Sequence, residues 1–124
     1  MAEIPAEVQA LKEKMLQRQY FVMTRKMLDP GKLPPVLLDH YQWIIDLEKQ
    51  DKVFASGPMF GKDGQQGVGM TVFRVDSWEE AEQLAAADPF CKAGAVGFDI
   101  QRWQVNEGRV NVSIDFSDQT YSMS

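Results

Sequence analysis

The feature that most constrains this chain is a change of hydrophobic period, repeated in a fixed order between about residues 20 and 105. Tyr20 to Lys26 alternates as a strand does, and both of its faces start apolar, which predicts a central position in a sheet. Pro34 to Gln50 follows with helical spacing. Leu37, Tyr41, Ile44 and Leu47 hold one face, Leu38 and Ile45 widen it, and His40 falls on the same stripe. Val53 to Met59 returns to strand character until Ser56-Gly57-Pro58, where a proline without an N–H should stop regular pairing. An Asp63-Gly64 turn leads into a strand over Gly67 to Val75, completing a hairpin. Ser77 and Glu80 have capping-box spacing and open a helix to Ala87, which Asp88-Pro89 stops. Phe90 to Ala93 adds one turn closed by Gly94, and Phe98 to Val105 is the fourth strand.

The order βαββαβ calls for two helices packed on one face of an antiparallel sheet, an α+β, ferredoxin-like arrangement. Strand residues of both parities are apolar, so the other face also needs a cover. A second copy of the chain is the simplest cover, and a face-to-face homodimer is expected. A single domain over 1–124 is expected, with its core at 20–105. An amphipathic helix over 5–19 precedes the core, and a half-buried strand over 109–116 follows it, ending in a polar, frayed tail.

Composition removes several classes of function. The net charge of −5, with a pI near 4.8, argues against non-specific binding to nucleic acid or an anionic membrane, though it leaves room for a local basic pocket. No apolar run approaches the ~20 residues of a membrane span. Met1–Arg18 has mixed charge and no apolar signal core, so the cytoplasm is the expected location. One cysteine and one histidine cannot make a disulfide or a Cys/His zinc site, and neither a metal nor another cofactor is expected.

Few residues are left to carry chemistry. His40, the single histidine, reads either as a core imidazole with both nitrogens satisfied or as a general acid–base. Asp88, at the end of the second helix, reads either as the N-cap of the turn that begins at Pro89 or as a carboxylate whose second oxygen receives the His40 ring N–H and fixes its tautomer. Arg25 is a cation in a central strand; an acidic neighbour is favoured over a substrate carboxylate as its counterion. Ser56, Gly57 and Pro58 form either a bulge or a pocket wall. Trp43, Trp78 and Trp103 suit the core or an interface, and Cys91 suits packing rather than nucleophilic attack. Gly67-Val68-Gly69 opens a strand and lacks the helix and lysine of a phosphate loop.

Leu38-Asp39-His40, Ser56-Gly57-Pro58-Met59, Asp63-Gly64, Ser77-Trp78-Glu79-Glu80-Ala81, Ala87-Asp88-Pro89-Phe90 and Ile100-Gln101-Arg102-Trp103 occur in this order between about Tyr20 and Trp103. In this combination the chain resembles the YciI-related family of dimeric α/β-barrel proteins. The resemblance implies a ferredoxin-like subunit that dimerises sheet to sheet, with His40 and Asp88 at the positions of the family's candidate His–Asp active-site pair. One family member is similar to a dehydrochlorinase of a chlorinated hydroxyquinol; related dimeric barrels include muconolactone isomerases and small monooxygenases. The resemblance therefore implies a cofactor-free lyase or isomerase acting on an organic acid, lactone or oxidised aromatic, as in aromatic catabolism. A non-catalytic ligand- or partner-binding module and a cofactor-independent oxygenase are the alternatives. The N-terminal helix and the strand after Gly108 depart from the minimal family pattern.

Overall fold

The computed structural model describes residues 3–124. The expected domain span starts at Met1, and residues 1 and 2 lie outside the described residues. Two compact units are present: residues 19–104, and the two terminal segments, through residue 18 and from residue 105.

In the larger unit the strands β1 (Arg18–Met27), β2 (Val53–Gly57), β3 (Met70–Phe73) and β4 (Val96–Val105) form a sheet in the order β2-β3-β1-β4. β3 pairs antiparallel with both β1 and β2. This is the strand order of the ferredoxin-like α+β fold. Phe21 pairs with Phe73 and Met23 with Thr71, so these four side chains share a face. That face meets the helices α2 (Leu37–Lys49) and α3 (Trp78–Ala86), and the core is built from Phe21, Met23, Phe73, Val53, Leu47, Ala81 and Ala85. Ala81 and Ala85 are fully buried on α3, one turn apart. The Ser77 hydroxyl accepts from the Glu80 N–H and caps α3 as the spacing requires. Asp88 caps a short helix, α4 (Pro89–Lys92), and Gly94 with φ 77° closes it.

Several expected boundaries move. The helix expected from Pro34 begins as two single 3₁₀ turns, Pro30–Lys32 and Pro34–Val36, before α2 starts at Leu37. Three prolines without N–H groups cannot supply the regular α-ladder in this stretch. The Leu37–Tyr41 part of the apolar stripe is half exposed rather than buried in the core. The third strand is shorter than Gly67–Val75, and just before its start the chain passes close to its neighbour at Gly69. A Cβ there would lie 2.6 Å from the Gly57 carbonyl oxygen. β2 ends at Gly57, immediately before Pro58, as expected.

The terminal segments differ more from expectation. The first helix, α1, is limited to Ala6–Glu13 and buries no residue; Gln17, at φ 53°, ends any helical path. The strand expected over 109–116 is reduced to β5 (Val112–Asp115) and is exposed rather than half buried. The expected frayed tail is instead a second strand, β6 (Thr120–Met123), paired with β5. Asp118 sets the turn: its carboxylate accepts from both the Thr120 N–H and the Thr120 hydroxyl.

Among the described residues, no helix is long and apolar enough to cross a membrane.

Candidate active site

The sheet order leaves β2 at an edge, and α2 lies along it. Between them is a cavity of about 410 Å³. Its walls come from His40, Tyr41 and Ile44 of α2, from Ser56, Gly57 and Pro58, from Gly67 to Gly69, and from Arg25 and Phe90. The six residues singled out in the sequence are thus brought together, five of them on the wall and Asp88 immediately behind it.

His40 sits in the first turn of α2 with its side chain 12% exposed. Its Nδ1 lies 2.7 Å from Asp88 Oδ1. The imidazole stacks face to face on the Phe90 ring, with centroids 3.8 Å apart and planes 4° apart. Asp88 is fully buried. Oδ1 of Asp88 accepts from the Phe90 N–H at 3.0 Å as the N-cap of α4, and it is this oxygen, not the second one as expected, that meets the imidazole, because Arg25 occupies Oδ2. One oxygen can serve both because a carboxylate oxygen offers two lone pairs.

Arg25 completes the arrangement. Its Nε donates to Asp88 Oδ2 at 2.9 Å and its Nη1 to the Gly69 carbonyl at 3.2 Å. The acidic counterion expected for Arg25 is therefore Asp88, with side-chain exposures of 2% and 0% for the pair. Nη2 is buried and finds no partner among the described residues. An unmet buried donor of this kind costs about 1–3 kcal/mol or more.

The electrostatics follow from these contacts. Burial opposes the charge on Asp88, but the hydrogen bond from His40, the Arg25 charge and the Phe90 N–H outweigh it and hold the carboxyl below its ordinary range. An ionised Asp88 only accepts, so Nδ1 of His40 carries the proton of that contact. In the neutral ring Nε2 is then the bare nitrogen. Burial, followed by the Asp88 charge, pushes the Cys91 thiol up to about 11, so it remains a neutral packed side chain.

Ser56 does not offer a free hydroxyl: its Oγ is 2.8 Å from Thr71 Oγ1, and Thr71 is fully buried. Phe90, Thr71 and the Gly69 carbonyl were not anticipated as part of the site. A signal existed for Gly69, since a glycine within a strand pattern marks close backbone approach. Phe90 stands in the Ala87-Asp88-Pro89-Phe90 piece of the family resemblance, but its stacking on His40 arises only from tertiary packing. Among the described residues, no group of three or more His, Cys, Asp or Glu side chains could hold a metal ion.

Three comparisons bear on this geometry. No protein of curated function matches the chain. A solved structure of 5-chloro-2-hydroxyhydroquinone dehydrochlorinase from Burkholderia phenoliruptrix AC1100, in complex with 2,5-dihydroxybenzoquinone, is similar at 26% identity. The similarity covers 68% of this chain and 92% of that one, with a TM-score of 0.53. The YCII-related domain matches residues 20–104, the stretch that holds the whole sheet-and-helix core and every residue of the site. With a family match over most of its length, the chain belongs to the YCII-related domain family.

Proposed function

We propose that the protein is a small-molecule lyase or isomerase in which His40 is the acid–base and Asp88 its orienting partner. The observation that carries this reading is the 2.7 Å contact between His40 Nδ1 and Asp88 Oδ1 at the wall of a cavity, with the carboxylate fully buried. The bare Nε2 takes a proton from a hydroxyl or an acidic carbon of the ligand. The resulting imidazolium is stabilised by the ionised carboxylate on its other nitrogen. In a lyase the released electron pair expels a leaving group such as chloride, and the imidazolium gives its proton to water. In an isomerase the same proton returns at another atom of the ligand.

The cavity also bears on the substrate. Tyr41 and Ile44 line it with aromatic and apolar surface, suited to a planar ring. Arg25 also lines the cavity, and its charge would favour a ligand that carries an acidic or oxidised group. Ser56, Gly57 and Pro58 would form the facing wall. A hydroxylated or oxidised aromatic, a lactone or a small organic acid meets these requirements. The similar dehydrochlorinase was solved with a dihydroxybenzoquinone, which supports the aromatic member of this set.

A homodimer is part of the proposal. On the sheet face opposite the helices, the Tyr20 ring lies 5.0 Å from Phe54 and 6.2 Å from Trp103, and the last two are each 43% exposed. A second copy would cover them.

The test is incubation of the protein with chlorinated hydroxyhydroquinones and with lactones, without added metal or coenzyme. Release of chloride, or formation of an isomer, is expected. Tight binding of these compounds with every one recovered unchanged would replace the enzyme with a binding module.

A further inference from the structure

The guanidinium of Arg25 is fixed at two of its three nitrogens, and both contacts lead to the site. Nε holds Asp88 Oδ2, leaving Oδ1 to meet the imidazole; Nη1 is anchored to the Gly69 carbonyl. Gly69 is itself packed against Gly57 too closely for any side chain. A continuous set of contacts therefore runs from the edge of the sheet, through a buried cation and a buried carboxylate, to the one imidazole on the cavity wall.

We propose that Arg25 is a positioning residue for His40: it holds Asp88 ionised with Oδ1 on Nδ1, so that the neutral imidazole presents Nε2 to the cavity. The inference takes its functional meaning from the acid–base reading of His40, while its geometry stands apart from that reading. A buried carboxylate facing an imidazole without a counterion has two escapes. It can take up a proton itself, or it can hold the ring as imidazolium; in both cases the pair gains a proton and the base is lost. A fixed cation on the far oxygen opposes both.

The other charged and titratable groups near the ring do not substitute for Arg25. Cys91 of α4 is neutral. Tyr41, with its ring centroid 5.4 Å away, and Glu48, on the wall of the same cavity, come from α2 itself and bring no positive charge. The β2 segment Val53–Gly57 carries no ionisable side chain.

Because His40 is the only histidine, its ring nitrogens give one set of nitrogen NMR signals, readable without a substrate. In the native protein the neutral ring is expected as the Nδ1–H form, with a slowly exchanging proton. In Arg25→Gln, which removes the charge and keeps a hydrogen-bonding group, the His40–Asp88 pair should take up its proton about one pH unit higher, the order expected for a unit charge one carboxylate away. Arg25→Lys, which keeps the charge, should restore most of that difference. A midpoint in Arg25→Gln within about 0.2 pH units of the native one, far below a one-unit charge effect, overturns the proposal. So does an equal displacement in Arg25→Lys. If the variants do not fold, the native ring decides: an Nε2–H form overturns the proposal and an Nδ1–H form supports it. Turnover is not part of this readout, so absence of lyase or isomerase activity would remove the functional reading and leave the positioning result standing.

Discussion

Phe73 and Ile114 both stand in short alternating strands, yet Phe73 is fully buried in β3 and Ile114 is 64% exposed in β5. The strands containing them satisfy backbone hydrogen bonds by antiparallel pairing in both units. The difference lies in what each unit places over its side chains. In residues 19–104, α2 and α3 lie on the Phe73 face and turn the alternation into a core. In the terminal segments, neither α1 nor the β5–β6 hairpin buries any residue. Alternation in a sequence therefore specifies a strand and its register, and burial needs a second surface that the strand does not encode.

Substitutions can sharpen or break this contrast. The largest effect is expected for Phe73→Ala, which opens a cavity in the core and should cost about 3–5 kcal/mol in chemical denaturation. A loss below 1 kcal/mol, far under that usual range, would mean that the larger unit is not the packed body of the protein. Next is Gly69→Ala. The added methyl must displace the Gly57 carbonyl, and overpacking of this kind costs about 1–3 kcal/mol. Because Gly69 anchors Arg25, this variant should also weaken ligand binding. The smallest effect is expected for Ile114→Ser, within about 0.5 kcal/mol as for other exposed positions. A loss several times larger would show that the hairpin is covered in solution.

The residues themselves explain how much was legible beforehand. The βαββαβ order could be read because both helices and all four core strands keep their hydrophobic period and are punctuated by Pro, Gly or a capping Ser. The hairpin strand over Thr120–Met123 could not be read that way. Its Thr-Tyr-Ser-Met alternation spans only four residues, too few for the period alone to specify a strand, and the Asp118 turn, a local hydrogen-bonding feature, is what pairs it with β5. The spacing predicts a helix from Pro34, three residues before α2 begins, because a Pro-Pro pair fits a first helical turn and a 3₁₀ turn equally well.

At the site, Asp88 is expected to cap with one oxygen and meet the imidazole with the other. Oδ1 makes both contacts and Arg25 takes Oδ2, a division that residue identity alone cannot reveal. The Arg25 counterion was expected to be acidic, and its identity needed the fold: Asp88 is 63 residues away in sequence. Phe90 is present in a motif of the resemblance, but its contact with the imidazole, a stacking distance across the fold, is not encoded in spacing.

The central claim is that the His40 ring carries the proton transfer. The most direct measurement is turnover of a substrate identified for the native protein, compared with His40→Ala under conditions where both are shown to be folded. A loss of about 10²–10⁴-fold, the usual contribution of a positioned acid–base group, is predicted. Turnover by His40→Ala at the native rate would contradict the account.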